Sequence, residues 1–113
     1  MDNGFYTTLV EGSTAKAGIT VIEDNRIRGG DDEFLYSGTI TTETAGGNVV
    51  ASLRFRSYSA SDESDFFGFT ERDFELSLSG EKTEEGFRVT GYSPSGREMV
   101  ILGKRLSAID FSD

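Results

Sequence analysis

Residues 49 to 58 read Val-Val-Ala-Ser-Leu-Arg-Phe-Arg-Ser-Tyr. Val49, Ala51, Leu53 and Phe55 alternate with Val50, Ser52, Arg54, Arg56 and Tyr58. A period of two over this length describes an extended strand with one dry face and one wet face. A helix would not separate the arginines from the apolar set so completely. The same alternation recurs along the chain, broken each time by turn residues. The sequence therefore predicts antiparallel strands joined by short connections.

In residues 4–11, Phe5, Thr7 and Leu9 point one way and Tyr6, Thr8 and Val10 the other. Residues 15–23 set Ala17, Ile19 and Val21 against Gly18, Thr20 and Ile22. Asp24-Asn25 is a hairpin signal, because both residues tolerate the left-handed conformation. A short third strand, 26–28, runs into Gly29-Gly30-Asp31-Asp32, whose glycines offer the positive dihedrals of a tight reversal. Strand 34–42 follows, then a reversal at Ala45-Gly46-Gly47-Asn48. After residue 58 the segment Ser59-Ala60-Ser61-Asp62-Glu63-Ser64-Asp65 reads as loop, with room for a short helix starting at Ser61. Phe66, Phe67 and Phe69 then bring three aromatics together. Residues 70–79 alternate again, with Phe74, Leu76 and Leu78 inward and Asp73, Glu75 and Ser77 outward. Residues 80–86 form a charged turn, and Phe87, Val89 and Gly91 share a face of the next strand. Ser93-Pro94-Ser95-Gly96 closes that hairpin. The last strand is 98–106, and residues 107–113 are expected to fray as a polar tail.

About eight strands of ordinary length result. No helix is long enough to cover them, and an open sheet would leave one face bare and two edges unpaired. Closure removes both problems, so the expected fold is an all-β, eight-stranded antiparallel up-and-down barrel, with a β-sandwich as the alternative. Glycines inside strands, at positions 18, 38, 91 and 103, suit the bends that closure requires. At 113 residues the chain is one domain.

Composition bears on function mainly through what is missing. There is no His and no Cys. The commonest general base and the ligands of zinc and iron sites are thus absent, as are thiolate chemistry and disulfides. This points to a non-enzymatic protein without a cofactor or metal, in a reducing compartment. A net charge of −9 disfavours direct nucleic-acid binding but allows association with a basic protein. Met1-Asp2-Asn3-Gly4 does not start a signal peptide, and no apolar run approaches the ~20 residues of a membrane-spanning helix.

An ordered set of short motifs adds a family likeness. It comprises Gly4-Phe5-Tyr6, Gly18-Ile19-Thr20-Val21, Asn25-Arg26-Ile27-Arg28-Gly29-Gly30-Asp31 and Tyr36-Ser37-Gly38. In this the chain resembles the GrlR family of negative regulators of type III secretion and their uncharacterised bacterial relatives. The likeness covers the first half well and continues more loosely through Phe67-Gly68, Phe74 to Leu78 and Gly86 to Leu106. It implies a small cytoplasmic barrel, lipocalin-like in shape and usually dimeric; the best-known member binds a helix-turn-helix activator and keeps it from DNA. The best-known member carries an exposed acidic run between the strands corresponding to 34–42 and 49–58. Here that position reads Thr41-Thr42-Glu43-Thr44-Ala45-Gly46-Gly47, with Glu43 its one acid.

The candidate sites each have two readings. Arg54, Arg56 and Tyr58 would form a dimer or partner surface, since Arg and Tyr are enriched there, or a solvated face paired with Asp73 and Glu75, and the resemblance adds Glu43 to the partner-binding candidates. Phe34, Tyr36, Phe55, Phe74 and Phe87 would line a cavity for a small apolar ligand, making the protein a carrier or sensor, or would simply pack a core. Gly29-Gly30-Asp31 as a phosphate cradle lacks the helix and the Lys that such a loop uses. Asp31, Asp32 and Glu33 as a calcium site lack matching spacing. A carboxylate-based enzyme would need two acids converging in a cleft, which strand spacing cannot show.

Overall fold

A computed structural model of the chain describes residues 1–11, 16–58 and 73–113, with the side chain of Lys16 also outside the description. Eight strands follow one another: β1 (Gly4–Glu11), β2 (Lys16–Glu23), β3 (Arg26–Gly30), β4 (Phe34–Glu43), β5 (Asn48–Ser57), β6 (Asp73–Lys82), β7 (Gly86–Tyr92) and β8 (Glu98–Ser107). Each pairs antiparallel with the next, and β8 pairs with β1, so the sheet closes as an up-and-down barrel. Closure is what the strand count demanded. The short helix expected at Ser61, the Phe66–Phe69 cluster and the start of the sixth strand lie outside the described residues.

Alternation decides the interior. Tyr6, Thr8 and Val10 of β1 are buried, as are Val49, Ala51, Leu53 and Phe55 of β5 and Phe74, Leu76 and Leu78 of β6. Their odd-even partners face out. Register shifts interrupt the ladder twice, between Phe5 and Tyr6 against β8 and between Ile40 and Thr42 against β5. Such bulges add local twist and help a ribbon of strands to bend round on itself.

Asp24 and Asn25 have φ of 52° and 65°, the paired left-handed conformations of a two-residue hairpin. The Gly29-Gly30 reversal needs correction. Both glycines belong to β3, and neither has positive φ. The turn lies at Asp31–Glu33, where the Asp31 carboxylate accepts the Glu33 and Phe34 amides at 2.8 Å each. Glycine is needed at 29 for proximity: a Cβ there would lie 2.2 Å from the Ile19 carbonyl oxygen and 2.7 Å from the Thr20 Cα.

The expected fraying at the end of the chain is also corrected. Asp113 accepts from the Arg105 guanidinium at 2.7 Å and from the Ala108 amide at 2.8 Å. Phe111 stacks on Phe5 with ring centroids 5.6 Å apart. A polar-looking segment is thus folded back by one aromatic and one carboxylate.

Candidate functional site

Two places compete for function, the barrel interior and its outer wall. The interior divides along its axis. Towards the Asp31 end, Phe55 and Phe74 stack at 5.2 Å, Phe34 meets both edge-on at 6.0 and 5.8 Å, and Tyr36 tilts against Phe55 at 5.0 Å. These are packing geometries of a filled core. Among the described residues, Phe34, Phe55 and Phe74 pack against one another at this end. Of the five aromatics expected to line a cavity, Tyr36 and Phe87 border one.

That cavity lies in the other half, with an apolar wall that includes Ile22, Ile40, Ala51, Leu53 and Val89. Its volume is about 40 Å³. A pocket that takes benzene measures about 150 Å³, so this one is too small for a drug-sized or lipid-sized guest. Its wall includes the Thr8–Thr20 hydroxyl pair at 3.2 Å. The Met1 side chain packs over the end of the barrel, and its amino group donates to Glu43.

Glu43 is thus held within the fold. Its second oxygen accepts from Lys82 Nζ at 3.0 Å. Alternation could not reveal this, because Met1 and Lys82 lie 42 and 39 residues away in sequence. Arg54 grips Asp73 with two bonds of 2.7 and 3.0 Å, and Arg56 reaches the same carboxylate at 3.3 Å. The Arg54 guanidinium, through its hydrogen bonds, holds the Asp73 carboxyl below its ordinary value. The solvated, paired face is realised here, and Arg54 and Arg56 remain exposed upon it.

Tyr58 donates its hydroxyl to the Asp31 carbonyl, and its amide donates to the Glu33 carbonyl at 3.0 Å. Tyr36 donates to the Asp31 carboxylate. Burial, and then this hydrogen bond, raise the Tyr36 hydroxyl far above its ordinary value. Asp31 is therefore the organiser of the turn, with its oxygens committed inward. Among the described residues, no three His, Cys, Asp or Glu side chains converge as metal ligands.

The outer wall carries a feature that the sequence reading passed over. Outward residues of β1, β2 and β8 are largely apolar: Phe5 and Leu9, Ala17, Ile19 and Val21, and Val100, Leu102 and Leu106. The register sets Phe5 opposite Val21, Leu9 opposite Ala17, and Leu9 opposite Leu102, with Thr7 and Lys104 between the two groups and Phe111 stacked over Phe5. A shallow groove of about 360 Å³ runs over β8 beside Leu9, Leu102 and Lys104. On β4 to β6 the outward residues are mostly polar, among them Ser37, Thr39, Ser52, Arg54, Arg56, Asp73, Glu75 and Ser77, with Leu35 and Val50 as exposed apolar exceptions. The signal was available in the face of each strand opposite the core, but only closure brings β8 beside β1.

No protein-family model matches this chain, and no curated protein matches it either.

Proposed function

We propose that this barrel is a non-enzymatic, cytoplasmic regulatory protein that acts by binding other proteins, as a homodimer. In the manner of the GrlR-type negative regulators it resembles, it would sequester a helix-turn-helix transcriptional activator. The observation that carries the reading is the apolar outer face of β1, β2 and β8. Apolar side chains gathered on one side of a barrel, with Ile19 and Leu106 exposed among them, are characteristic of an interaction site. A lipid-facing role fits less well, since membrane barrels carry an apolar band all the way round, and here Arg54, Asp73 and Glu75 stand on the outer wall. The acidic chain would steer a basic regulator towards it.

Two measurements test this. In sedimentation velocity the protein should run as a dimer, and Leu102→Glu should make it a monomer. Capture with the tagged protein should recover a basic helix-turn-helix regulator, whose operator binding is lost when the barrel is added. Recovery of nothing but its own copy would count against the regulatory role. The competing reading, a carrier of small apolar ligands, meets an internal cavity of about 40 Å³. Native mass spectrometry that found an apolar compound held in each barrel would reverse the preference.

A further inference from the structure

The outer wall of β3, β4 and β5 carries four arginines, Arg26, Arg28, Arg54 and Arg56, on a chain of net charge −9. The register fixes their arrangement. Arg28 lies opposite Ser37 of β4, and Ser37 lies opposite Arg54 of β5. Arg28 and Arg54 thus stand ~9.5 Å apart across one hydroxyl, two interstrand spacings. Each has a second arginine two positions along its own strand, ~7 Å away. All four are exposed, and so are Ser37 and Thr39 between them. Leu35 and Tyr58, at 52% and 54% exposed, add apolar surface at the Asp31 end. The nearby carboxylates are Asp73, shared by Arg54 and Arg56, Glu75 opposite Arg54, and Glu23 opposite Arg26. Among the described residues no ion pair engages Arg26 or Arg28.

We propose that this wall binds an extended acidic segment of a partner protein, laid along β4 with a carboxylate at every second residue. Alternate side chains of an extended chain repeat at ~6.6–6.8 Å, the spacing of each arginine pair. The planar guanidinium fork donates two bonds to a carboxylate, as Arg54 already does to Asp73. An incoming carboxylate over Ser37 would take its bonds from Arg28, while Arg54, whose Nε and Nη2 Asp73 already occupies, adds its charge from the other side. Acids flank the stripe at both ends, Glu23 and Asp24 at one and Asp31, Asp32 and Glu33 at the other. The net charge of −9 works against a long polyanion such as nucleic acid. This surface is separate from the apolar face of β1, β2 and β8 and does not depend on it.

Fluorescence anisotropy with a labelled hexapeptide of alternating Glu and Thr tests the proposal. Binding should saturate at ~20 mM salt and weaken steeply by ~300 mM, as screening requires. Arg28→Glu and Arg54→Glu should each weaken it at least about tenfold, and Arg28→Gln by less. Arg88→Glu, on exposed β7 wall, changes net charge equally and should stay within about twofold of the unsubstituted protein. Circular dichroism melts check that each variant is folded. Equal weakening by all three Glu variants would reduce the effect to net charge and overturn the site. Absence of binding at low salt, or tighter binding of a thymidine hexanucleotide, would overturn the assigned partner.

Discussion

Replacing Asp31 by Ala, with and without Tyr36→Phe, measures how far the turn after β3 organises its end of the barrel. Asp31 accepts from two backbone amides at 2.8 Å each and from the Tyr36 hydroxyl. Losing the amide contacts resembles losing a helix cap, about 1 kcal/mol. Tyr36 is 5% exposed, so its abandoned hydroxyl adds about 2 kcal/mol. Asp31→Ala should therefore cost about 3 kcal/mol. Tyr36→Phe alone removes one charge-assisted bond and should cost about 1.5 kcal/mol. The double variant has no orphaned hydroxyl and should lose about 2.5 kcal/mol rather than the sum of about 4.5, a coupling near 2 kcal/mol. A domain of this length has about 6–17 kcal/mol to lose, so all three variants should stay folded in water. Urea unfolding with unchanged slope measures each difference. Additivity within about 0.5 kcal/mol would refute the idea that the carboxylate and hydroxyl act as one unit.

Further expectations follow from the packing. Phe55 is fully buried among Phe34, Tyr36 and Phe74, so Phe55→Ala should cost about 3–5 kcal/mol in the same assay, and a loss under about 1 would mean a loosely filled end. Gly29→Ala should destabilise by about 1–3 kcal/mol or more, because the atoms its Cβ meets are backbone; a neutral result would place the strands further apart than described. Alkaline titration gives a signed test. The folded Tyr36 hydroxyl titrates well above its unfolded value of about 10, so its contribution is complete below pH ~10 and lost as pH rises further. Stability should fall above that pH more gently in Tyr36→Phe, and identical slopes would contradict the burial of this hydroxyl.

The wall of the barrel was legible because alternation in β5 and β6 is nearly complete, and Asp24-Asn25 announced its own hairpin. Gly29-Gly30 misled for a physical reason. Glycine serves either a dihedral or a close approach, and sequence shows the residue without saying which. Here the approach to Ile19 and Thr20 sets the requirement, and an Asp makes the turn. The partner surface was only half legible. Arg54 and Arg56 stood out on one strand, but Arg26 and Arg28 joined them through pairing with β4. Glu43 looked free in sequence and is tied to Lys82. The aromatics expected around a cavity were identified as inward correctly at Phe34, Phe55 and Phe74, yet whether rings surround a space or fill it depends on their mutual angles.

The seam between β1 and β8 has a kinetic consequence. It joins Thr7 to Lys104, almost the whole chain apart. Every other ladder forms between neighbours in sequence, so seven hairpin steps can proceed locally while this last contact waits on the ordering of everything between. Until it forms, two bare strand margins and the apolar interior are open to solvent and to other chains. Substitutions at the seam should slow folding and promote aggregation out of proportion to their effect on the finished barrel.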